Sequence, residues 1–531
     1  MMKKNLTMLL ALGLTAAAAV GCGDATEEPG ENAANNGPGG KADENDGPAP
    51  CTVVSEEGAQ LDLSQRNDVI ANTVLKSGEG CPTTFAEIMD KLRKTDADDS
   101  SCKVDNVEGG ISSMIVSERA QLLQKSEGMR VVVTRQCNGR DRHDLFFSLF
   151  GVSNGRDLPG DVEVMSFDKA AGVYNYYALE GGQWTWFGTS LDLIQPGAAD
   201  RKRCAGCHTG GGPIMKELDT PWNHWEGHED VPGASELVDK NEDLGSKSSG
   251  STMESLAKSG NRAWNPTRVK ALVAGRDLHQ LLRPLACTVE VNLDNGADFR
   301  SSTMSRVPFD FLLDPVFKGF GGVNVSEEDY QAHLEALDQR MVDGRGNDIK
   351  DAQDKLIRDT IFRYIFPERA FGDMNYVEEL KKAGAIDDNF IKDFLIIDFA
   401  RPIYSEARCG LIESLPETIE GDMTVENIRN AIIAKLEGAA EGTVEAELLA
   451  NLKNAEDDAA HTAKVDTFVN ACNARDKKAF MEDALMLAFQ RRAQAREHHE
   501  RVFEFPETMP VAGMEVGASA GLDPVTCELV E

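Results

Sequence analysis

The most tightly spaced cysteine and histidine residues in the chain are Cys204-Ala-Gly-Cys207-His208. With 11 cysteines and 9 histidines among 531 residues, random placement gives about 0.004 occurrences of this C-x-x-C-H pattern, so chance does not explain it. Two thiols at this spacing can each form a thioether with a vinyl group of one haem, and the adjacent imidazole then ligates the iron. The pattern therefore predicts one covalently bound haem c, held by Cys204 and Cys207, with His208 as the proximal iron ligand.

The same two cysteines also fit a wider metal-binding spacing. Together with His224 and His228 they read C-x2-C-x16-H-x3-H, one residue beyond the usual zinc-finger loop. A structural zinc site is therefore an alternative, as are a redox dithiol and an ordinary disulfide. The zinc interpretation leaves His208 without a role, and the compartment predicted next is one where haem is attached to exported thiols. Haem attachment is the favoured interpretation.

The N-terminus predicts export and a lipid anchor. A short start with Lys3 and Lys4 precedes an apolar run of 15 residues, Leu6 to Val20. This run is shorter than the about 20 residues of a membrane-spanning helix, and it fits a signal peptide over residues 1–21. The closing Ala19-Val20-Gly21-Cys22 resembles the lipobox of bacterial lipoproteins, which implies a lipidated Cys22. Because Gly23 follows, we expect an outer-membrane anchor facing the periplasm, with plain secretion as the alternative.

Residues 22–50 predict a disordered tether. They are rich in Gly, Pro, Asn, Ala, Glu and Asp and contain almost no large apolar side chain, so they cannot bury enough surface to fold. Such a segment spans about 30 Å and lets a globular body move beside the membrane. The formal net charge of −34 argues against nucleic acid as a partner, since the surface repels phosphate. A basic or neutral redox partner protein is compatible with it.

The remaining cysteines predict disulfides. An even number in an oxidising compartment favours up to four bonds, although the pairing cannot be read from the sequence. Four of these cysteines lie in the N-terminal part and four in the C-terminal half: Cys51, Cys81, Cys102 and Cys137, then Cys287, Cys409, Cys472 and Cys527.

The pattern of apolar residues predicts an α+β fold, with an antiparallel β-rich haem region between mainly helical regions. We expect helices over 51–128, including one opened by a capping box at Thr84, a β-rich haem c region over 129–250, and a mainly helical domain over 251–531. The predicted strands are 129–134, 145–150, 162–167, 173–177 and 184–187, with a hairpin turn at Gly181-Gly182. The clearest C-terminal helices are expected from about residue 265 onward, at 351–365, 389–399, 425–436 and 476–502.

An aromatic sheet ending in Trp184-Thr-Trp-Phe187 and followed by C-x-x-C-H resembles the cytochrome c-prime-beta family and its lysine-crosslinked relatives. The resemblance covers about residues 130–215 and implies a haem packed against a sheet, with an apolar distal side where nitric oxide could bind. In the crosslinked relatives an upstream lysine bonds to the haem. Lys169 is the only lysine between Arg130 and Lys202, but it lies in a predicted turn.

Two further expectations concern the surroundings of the haem. Three aromatic residues, Phe146, Phe147 and Phe150, can either cover the distal face or form ordinary core, and core is favoured. The glycines of Gly210-Gly-Gly212-Pro213 predict a loop that approaches the porphyrin closely, or a simple turn.

The sixth iron ligand separates the possible functions. Met215 and His224 are the candidates, and two strong axial ligands favour electron transfer, whereas an open position admits a small ligand. We predict an electron carrier rather than a catalyst, anchored in the bacterial cell envelope, and no catalytic residue. The alternatives are a haem-based enzyme or sensor for a small molecule such as nitric oxide, and a zinc- or disulfide-stapled interaction lipoprotein.

Overall fold

The computed structural model describes most of the chain between residues 51 and 530. The described residues are 51–78, 80–98, 111–117, 129–135, 143–152, 158, 161–198, 201–206, 208, 210–213, 234–248, 250–287, 291–292, 306–317, 321–330, 332, 366–367, 371–402, 405–454, 458–497 and 521–530. The predicted signal peptide, Cys22 and the tether lie outside them.

An eight-stranded sheet dominates the N-terminal half of the described chain. Its strands are β1 Val53–Ser55, β2 Ile111–Ser117, β3 Met129–Arg135, β4 Leu145–Val152, β5 Val162–Asp168, β6 Val173–Glu180, β7 Gln183–Thr189 and β8 Ser246–Lys247, in the order β1-β7-β6-β5-β4-β3-β2-β8. The pairs from β2 to β7 are antiparallel, whereas β1 and β8 add parallel edges. The α+β fold class and all five predicted strands are confirmed.

The N-terminal region over 51–128, predicted to be mainly helical, also contributes two strands to the sheet. It contains β1 and β2, which pair with strands far away in the sequence, as well as the α-helix α1, Phe85–Asp98. Only one half of the capping box predicted at Thr84 forms, with the Glu87 backbone N–H donating to Thr84 Oγ1 at 3.3 Å. The Glu87 carboxylate accepts from the Thr83 N–H rather than from Thr84.

The turn between β6 and β7 agrees with the sequence. Glu180 pairs with Gln183, and the two residues between them, Gly181 and Gly182, have φ angles of +54° and +82°. Positive φ at both positions is what a two-residue turn matching the strand twist requires, and glycine adopts it without steric cost.

The sheet is buried on both faces. One face contributes Met114, Val132, Phe146, Met165 and Tyr176 to a large hydrophobic cluster, and the other contributes Ile115, Val131, Phe147, Val164 and Tyr177 to a second cluster with α1. Phe146 and Phe147 therefore point to opposite faces and cannot both cover one side of a haem. Their assignment to the core is consistent with this placement, and the side chain of Phe150 is outside the described part.

The C-terminal half is mainly helical. Its longer helices are α4 Gly250–Gly275, α5 Leu278–Ala286, α6 Phe371–Lys382, α7 Asp388–Leu395, α8 Glu406–Ser414, α9 Val425–Leu436, α10 Val444–Lys453, α11 Asp458–Ala474 and α12 Lys477–Glu497, preceded by the shorter α2 Ser190–Leu193 and α3 Ala234–Lys240. The predicted helix at 425–436 agrees residue for residue, those at 389–399 and 476–502 agree apart from their ends, and the one at 351–365 lies outside the described residues. Among the described helices, none has the length and apolar character that crossing a bilayer requires.

The helical half shares its core with the sheet. The hydrophobic cluster on the Tyr176 face is a single cluster in space. Besides residues of the sheet, it includes residues of α4 and of the helices after it. Helix α4 begins at Gly250, whereas helices were expected from about residue 265. Pro266 therefore lies inside the helix rather than near its start. The region predicted to carry the haem is therefore packed directly against the region predicted to form a separate helical domain.

Three disulfides are present among the described residues: Cys51–Cys81, Cys287–Cys409 and Cys472–Cys527. Each joins two cysteines of the same half of the chain. Cys102 and Cys137 lie outside the described residues.

Candidate functional site in the C-x-x-C-H turn

The motif starts in a short 3-10 turn, Arg203–Gly206, that is fixed to the sheet by charge. The Arg203 guanidinium donates to Glu163 on β5 at 2.9 Å and to Glu180 on β6. Its backbone N–H donates to the Glu56 carboxylate at 3.0 Å. These contacts place Cys204, the first cysteine of the motif, beside strands β5 and β6.

Cys204 is a half-buried thiol that forms no disulfide. Burial raises its pKa well above the usual range; the Glu163 carboxylate adds to this effect, while the Arg203 guanidinium opposes it. A redox-active dithiol needs a thiol pKa lowered towards neutrality, so the surroundings of Cys204 do not suit one. Cys207 lies outside the described residues.

The backbone after Cys204 curls tightly around His208. The His208 N–H donates to the Cys204 carbonyl at 2.9 Å, and the His208 carbonyl accepts from the Gly211 N–H at 2.8 Å. The ring closes the loop, because His208 Nδ1 lies 2.8 Å from the carbonyl oxygen of Gly212. A carbonyl can only accept, so the hydrogen-bond network assigns the ring proton to Nδ1 and the lone pair to Nε2.

This arrangement is the one that a metal-ligating histidine adopts. Such histidines usually donate their second ring N–H to a backbone carbonyl or carboxylate, which fixes the tautomer and the ring orientation. With two thiols at the attachment spacing and His208 held as an Nδ1–H tautomer, the chemistry of the donor set fits a covalent haem. Within the described chain no group of three or more His, Cys, Asp or Glu side chains suits a metal ion; His224 and His228 of the zinc spacing lie outside it.

Tyr176 on β6 supports the histidine from the sheet. Its ring centroid lies 5.0 Å from that of His208, and its hydroxyl donates to the Gly211 carbonyl at 3.0 Å. Tyr176 is buried, and burial raises the pKa of its phenol well above the usual value, so it stays a neutral donor. One side chain thus contacts both the proposed ligand and the loop that orients it.

Helix α4 supports the loop from the other side. Asn261 Nδ2 donates to the Pro213 carbonyl at 2.9 Å, and Trp264 Nε1 donates to the Gly210 carbonyl at 2.8 Å. Trp264 is completely buried. Two carbonyls of the loop are therefore held by side chains one helical turn apart on the same helix.

Close packing explains two of the loop glycines. Gly211 has a φ of +71°, and a Cβ there would lie 2.7 Å from the Ser190 carbonyl oxygen and 3.0 Å from the Trp264 ring. A Cβ at Gly212 would lie 2.6 Å from Asn261 Oδ1. The neighbours that exclude a side chain at these two glycines are backbone and side chains of α2 and α4.

Of Met215, His224 and Lys169, only Lys169 lies in the part of the chain that the structure describes. Met215 and His224, the candidates for the sixth ligand, lie outside the described residues. Lys169 is exposed in the β5–β6 turn, which is closed by Asp168 Oδ1 accepting from Ala170 and Ala171 N–H. The predicted turn is confirmed, and its position at the end of the hairpin does not favour a lysine crosslink.

Sequence reasoning missed Tyr176, Asn261 and Trp264. The signal for the last two was a spacing of three residues on one helix face, which Pro266 obscured by suggesting a later helix start. For Tyr176 no local signal exists, because an aromatic residue on a strand is usually core.

No family model, no curated protein and no solved structure matches this chain. The resemblance to the cytochrome c-prime-beta family stays a prediction from the motif and the preceding strands.

Proposed function

We propose that the protein is a lipid-anchored haem c protein of the bacterial cell envelope that transfers electrons. The observation that carries the proposal is the 2.8 Å contact between His208 Nδ1 and the Gly212 carbonyl, next to two cysteines at the haem attachment spacing. Bound haem supplies a one-electron iron couple, which is the chemistry that electron transfer requires.

The residues around the motif have separate roles in this proposal. Cys204 and Cys207 form the thioethers, and His208 presents Nε2 to the iron. Gly212 and Tyr176 keep the imidazole in one orientation. The Gly212 carbonyl accepts a hydrogen bond from His208 Nδ1, and Tyr176 holds the loop and contacts the ring. Donation from Nδ1 also raises the basicity of the ligating nitrogen, which is one way that a protein tunes iron.

The surroundings of Cys204 support haem over a redox dithiol. A buried thiol with a raised pKa is a poor nucleophile in the folded protein, whereas a thioether at the same position has no proton to lose. Cys204 packs against the hydrophobic cluster on the Tyr176 face of the sheet, so its surroundings are apolar.

The first test is the visible spectrum of the full chain made in a host that matures c-type cytochromes. We expect haem that resists acid-acetone extraction and a low-spin spectrum that carbon monoxide does not change. A five-coordinate, carbon monoxide-binding iron would replace electron transfer by small-ligand chemistry, with nitric oxide as the first ligand to test. Protein without haem, isolated from a competent host, would overturn the proposal.

Single substitutions assign the ligands. We expect Cys204→Ser and Cys207→Ser each to remove one thioether, the double substitution to remove covalent attachment, and His208→Ala to abolish the native spectrum. His279→Ala is the matched control, since this imidazole bonds the distant Leu415 carbonyl at 3.1 Å and should leave the spectrum unchanged. Loss of bound zinc from His224→Ala, with no haem in any variant, would favour the zinc-stapled alternative.

The anchor is tested separately. Cys22→Ala should move the protein from the membrane fraction to the soluble periplasmic fraction, because lipidation needs the thiol. Metabolic labelling with a palmitate analogue should mark the wild type and not the variant. Labelling of both would show that Cys22 is not the lipidated residue.

A further inference from the structure

We infer that Arg268 on α4 binds a propionate group of the haem. The inference rests on the proposed function, since it assigns a residue to one part of the proposed cofactor. Two features support it: the position of Arg268 beside the motif loop and the burial of its guanidinium.

Helix α4 runs opposite to the loop it supports. Asn261 contacts Pro213, and Trp264, three residues later, contacts Gly210, three residues earlier in the loop. Arg268 is one helical turn further along the same face and lies against Gly210, where a Cβ would be 3.5 Å from Arg268 Nη1. The guanidinium is therefore placed at the His208 end of the loop.

The charge of Arg268 is buried and incompletely paired. The residue is 7% exposed, and its Nε is buried without a hydrogen-bond partner among the described residues. Among the described residues, Arg268 forms an ion pair with Asp373, whose Oδ1 is 3.6 Å from Nη1, longer than a hydrogen bond. The Tyr376 ring, 4.2 Å from the guanidinium carbon, adds a cation–π contact.

Arg268 Nε lacks an acceptor among the described residues, although Asp373 pairs with the other end of the guanidinium. Arginine binds carboxylates through two parallel N–H donors, and Nε together with one terminal nitrogen forms such a pair. Haem c offers two propionate carboxylates on the edge of the macrocycle away from the thioethers. Burying a charged group is costly unless its hydrogen-bonding groups have partners. A propionate oxygen would supply Arg268 Nε with the acceptor that it lacks among the described residues.

The test compares two arginines on one helix. Arg268→Gln removes the buried guanidinium, and Arg262→Gln removes an exposed one that stacks on Phe371 at 4.7 Å, about 9 Å away along α4. The readouts are haem content, midpoint potential and the propionate-bending band of the resonance Raman spectrum. The last reports the hydrogen bonding of the propionate itself.

We expect both variants to keep covalent haem. Arg268→Gln should shift the propionate band and lower the midpoint potential, because a nearby positive charge favours the reduced iron, and Arg262→Gln should do neither. If Arg268→Gln does not accumulate, Arg268→Lys replaces it: the ammonium keeps the charge but not the paired donors, so the band should still shift.

An unchanged propionate band in a haem-loaded Arg268 variant would overturn the inference and leave the proposed function intact. Absence of haem from the wild type would overturn the proposed function instead. The two failures are therefore distinguishable in one set of preparations.

Discussion

His208 and Gly212 form one structural unit: the ring Nδ1 lies 2.8 Å from the carbonyl oxygen of the glycine four positions further along the chain. The turn is held from the sheet by Tyr176 and from α4 by Trp264. The orientation of the imidazole therefore depends on residues that contact the loop rather than the iron, and substitutions at these positions test how closely loop and ligand are coupled.

Tyr176→Phe removes the hydroxyl that holds the Gly211 carbonyl. We expect the free energy of unfolding to fall by about 1 to 3 kcal/mol, because a buried carbonyl loses its donor. Tyr174→Phe, on the same strand, is the control, since its hydroxyl donates to the His143 carbonyl, also at 3.0 Å. Urea unfolding should show similar losses in both variants, with a changed haem spectrum in Tyr176→Phe alone. A change in both would mean that the coupling is not specific to the loop.

Gly211→Ala introduces a Cβ where φ is +71° and the Ser190 carbonyl oxygen would be 2.7 Å away. We expect a loss of at least about 2 kcal/mol, which combines the cost of the left-handed conformation with that of moving backbone. Gly58→Ala has a similar φ of +83° but nothing within 4 Å, so it measures the conformational cost alone. Equal losses in thermal or urea unfolding would show that the loop yields freely.

Trp264→Phe removes the indole N–H that binds the Gly210 carbonyl on the loop. Trp184→Phe is matched to it: this tryptophan is also fully buried, and its indole donates to the Pro82 carbonyl at 2.9 Å in the cluster on the opposite face. Both should lose about 1 to 3 kcal/mol of stability from an unsatisfied carbonyl. Only Trp264→Phe should weaken haem retention during maturation, and equal haem content in the two variants would contradict this.

The disulfides should differ in what they contribute. The Cys287–Cys409 bond closes 122 residues and Cys51–Cys81 closes 30, so their chain-entropy contributions are about 4.9 and about 3.6 kcal/mol. Replacing both cysteines of one bond by alanine and measuring the urea midpoint compares them directly. We expect the larger loss for the longer loop, and the reverse order would show that native-state packing outweighs chain entropy.

The stability of the N-terminal part should depend on Asp68. Burial raises the pKa of this carboxyl, against the opposing effect of hydrogen bonds from Ala71 N–H and Tyr177, whose hydroxyl lies 2.8 Å away. The native state thus holds the proton more tightly than the unfolded chain. The contribution of Asp68 to stability is present below its ordinary pKa and is lost as pH rises through the raised value.

Asp68→Asn cannot titrate, so the stability of the wild type relative to this variant should fall as pH rises above the ordinary pKa of an aspartate, about 4. Asp62→Asn is the control of opposite sign. Its exposed carboxylate accepts from Ser64, which lowers its pKa, so its contribution is lost as pH falls. A pH-independent difference between wild type and Asp68→Asn would contradict the assignment.

Much of the sheet could be predicted because β-branched and aromatic runs separated by Gly, Asp and Asn mark strands locally. Strand β2 was missed because its partner β3 begins 12 residues beyond it, too far for a hairpin turn to mark the pair. Strand β1 was missed because it has only three residues, and its partner β7 is distant in the sequence. The motif could be read because its chemistry fixes the spacing. The supports of His208 could not, since Tyr176 and Trp264 reach the loop only after tertiary packing.

The order of these residues along the chain also bears on biosynthesis. Trp264 completes the loop from a position 54 residues beyond Gly210. A polypeptide exported from its N-terminus delivers Cys204 and His208 before the helix that encloses them has emerged. On the proposed function, the attachment machinery therefore meets an open motif, and the later arrival of α4 closes the shell around a cofactor already bonded in place.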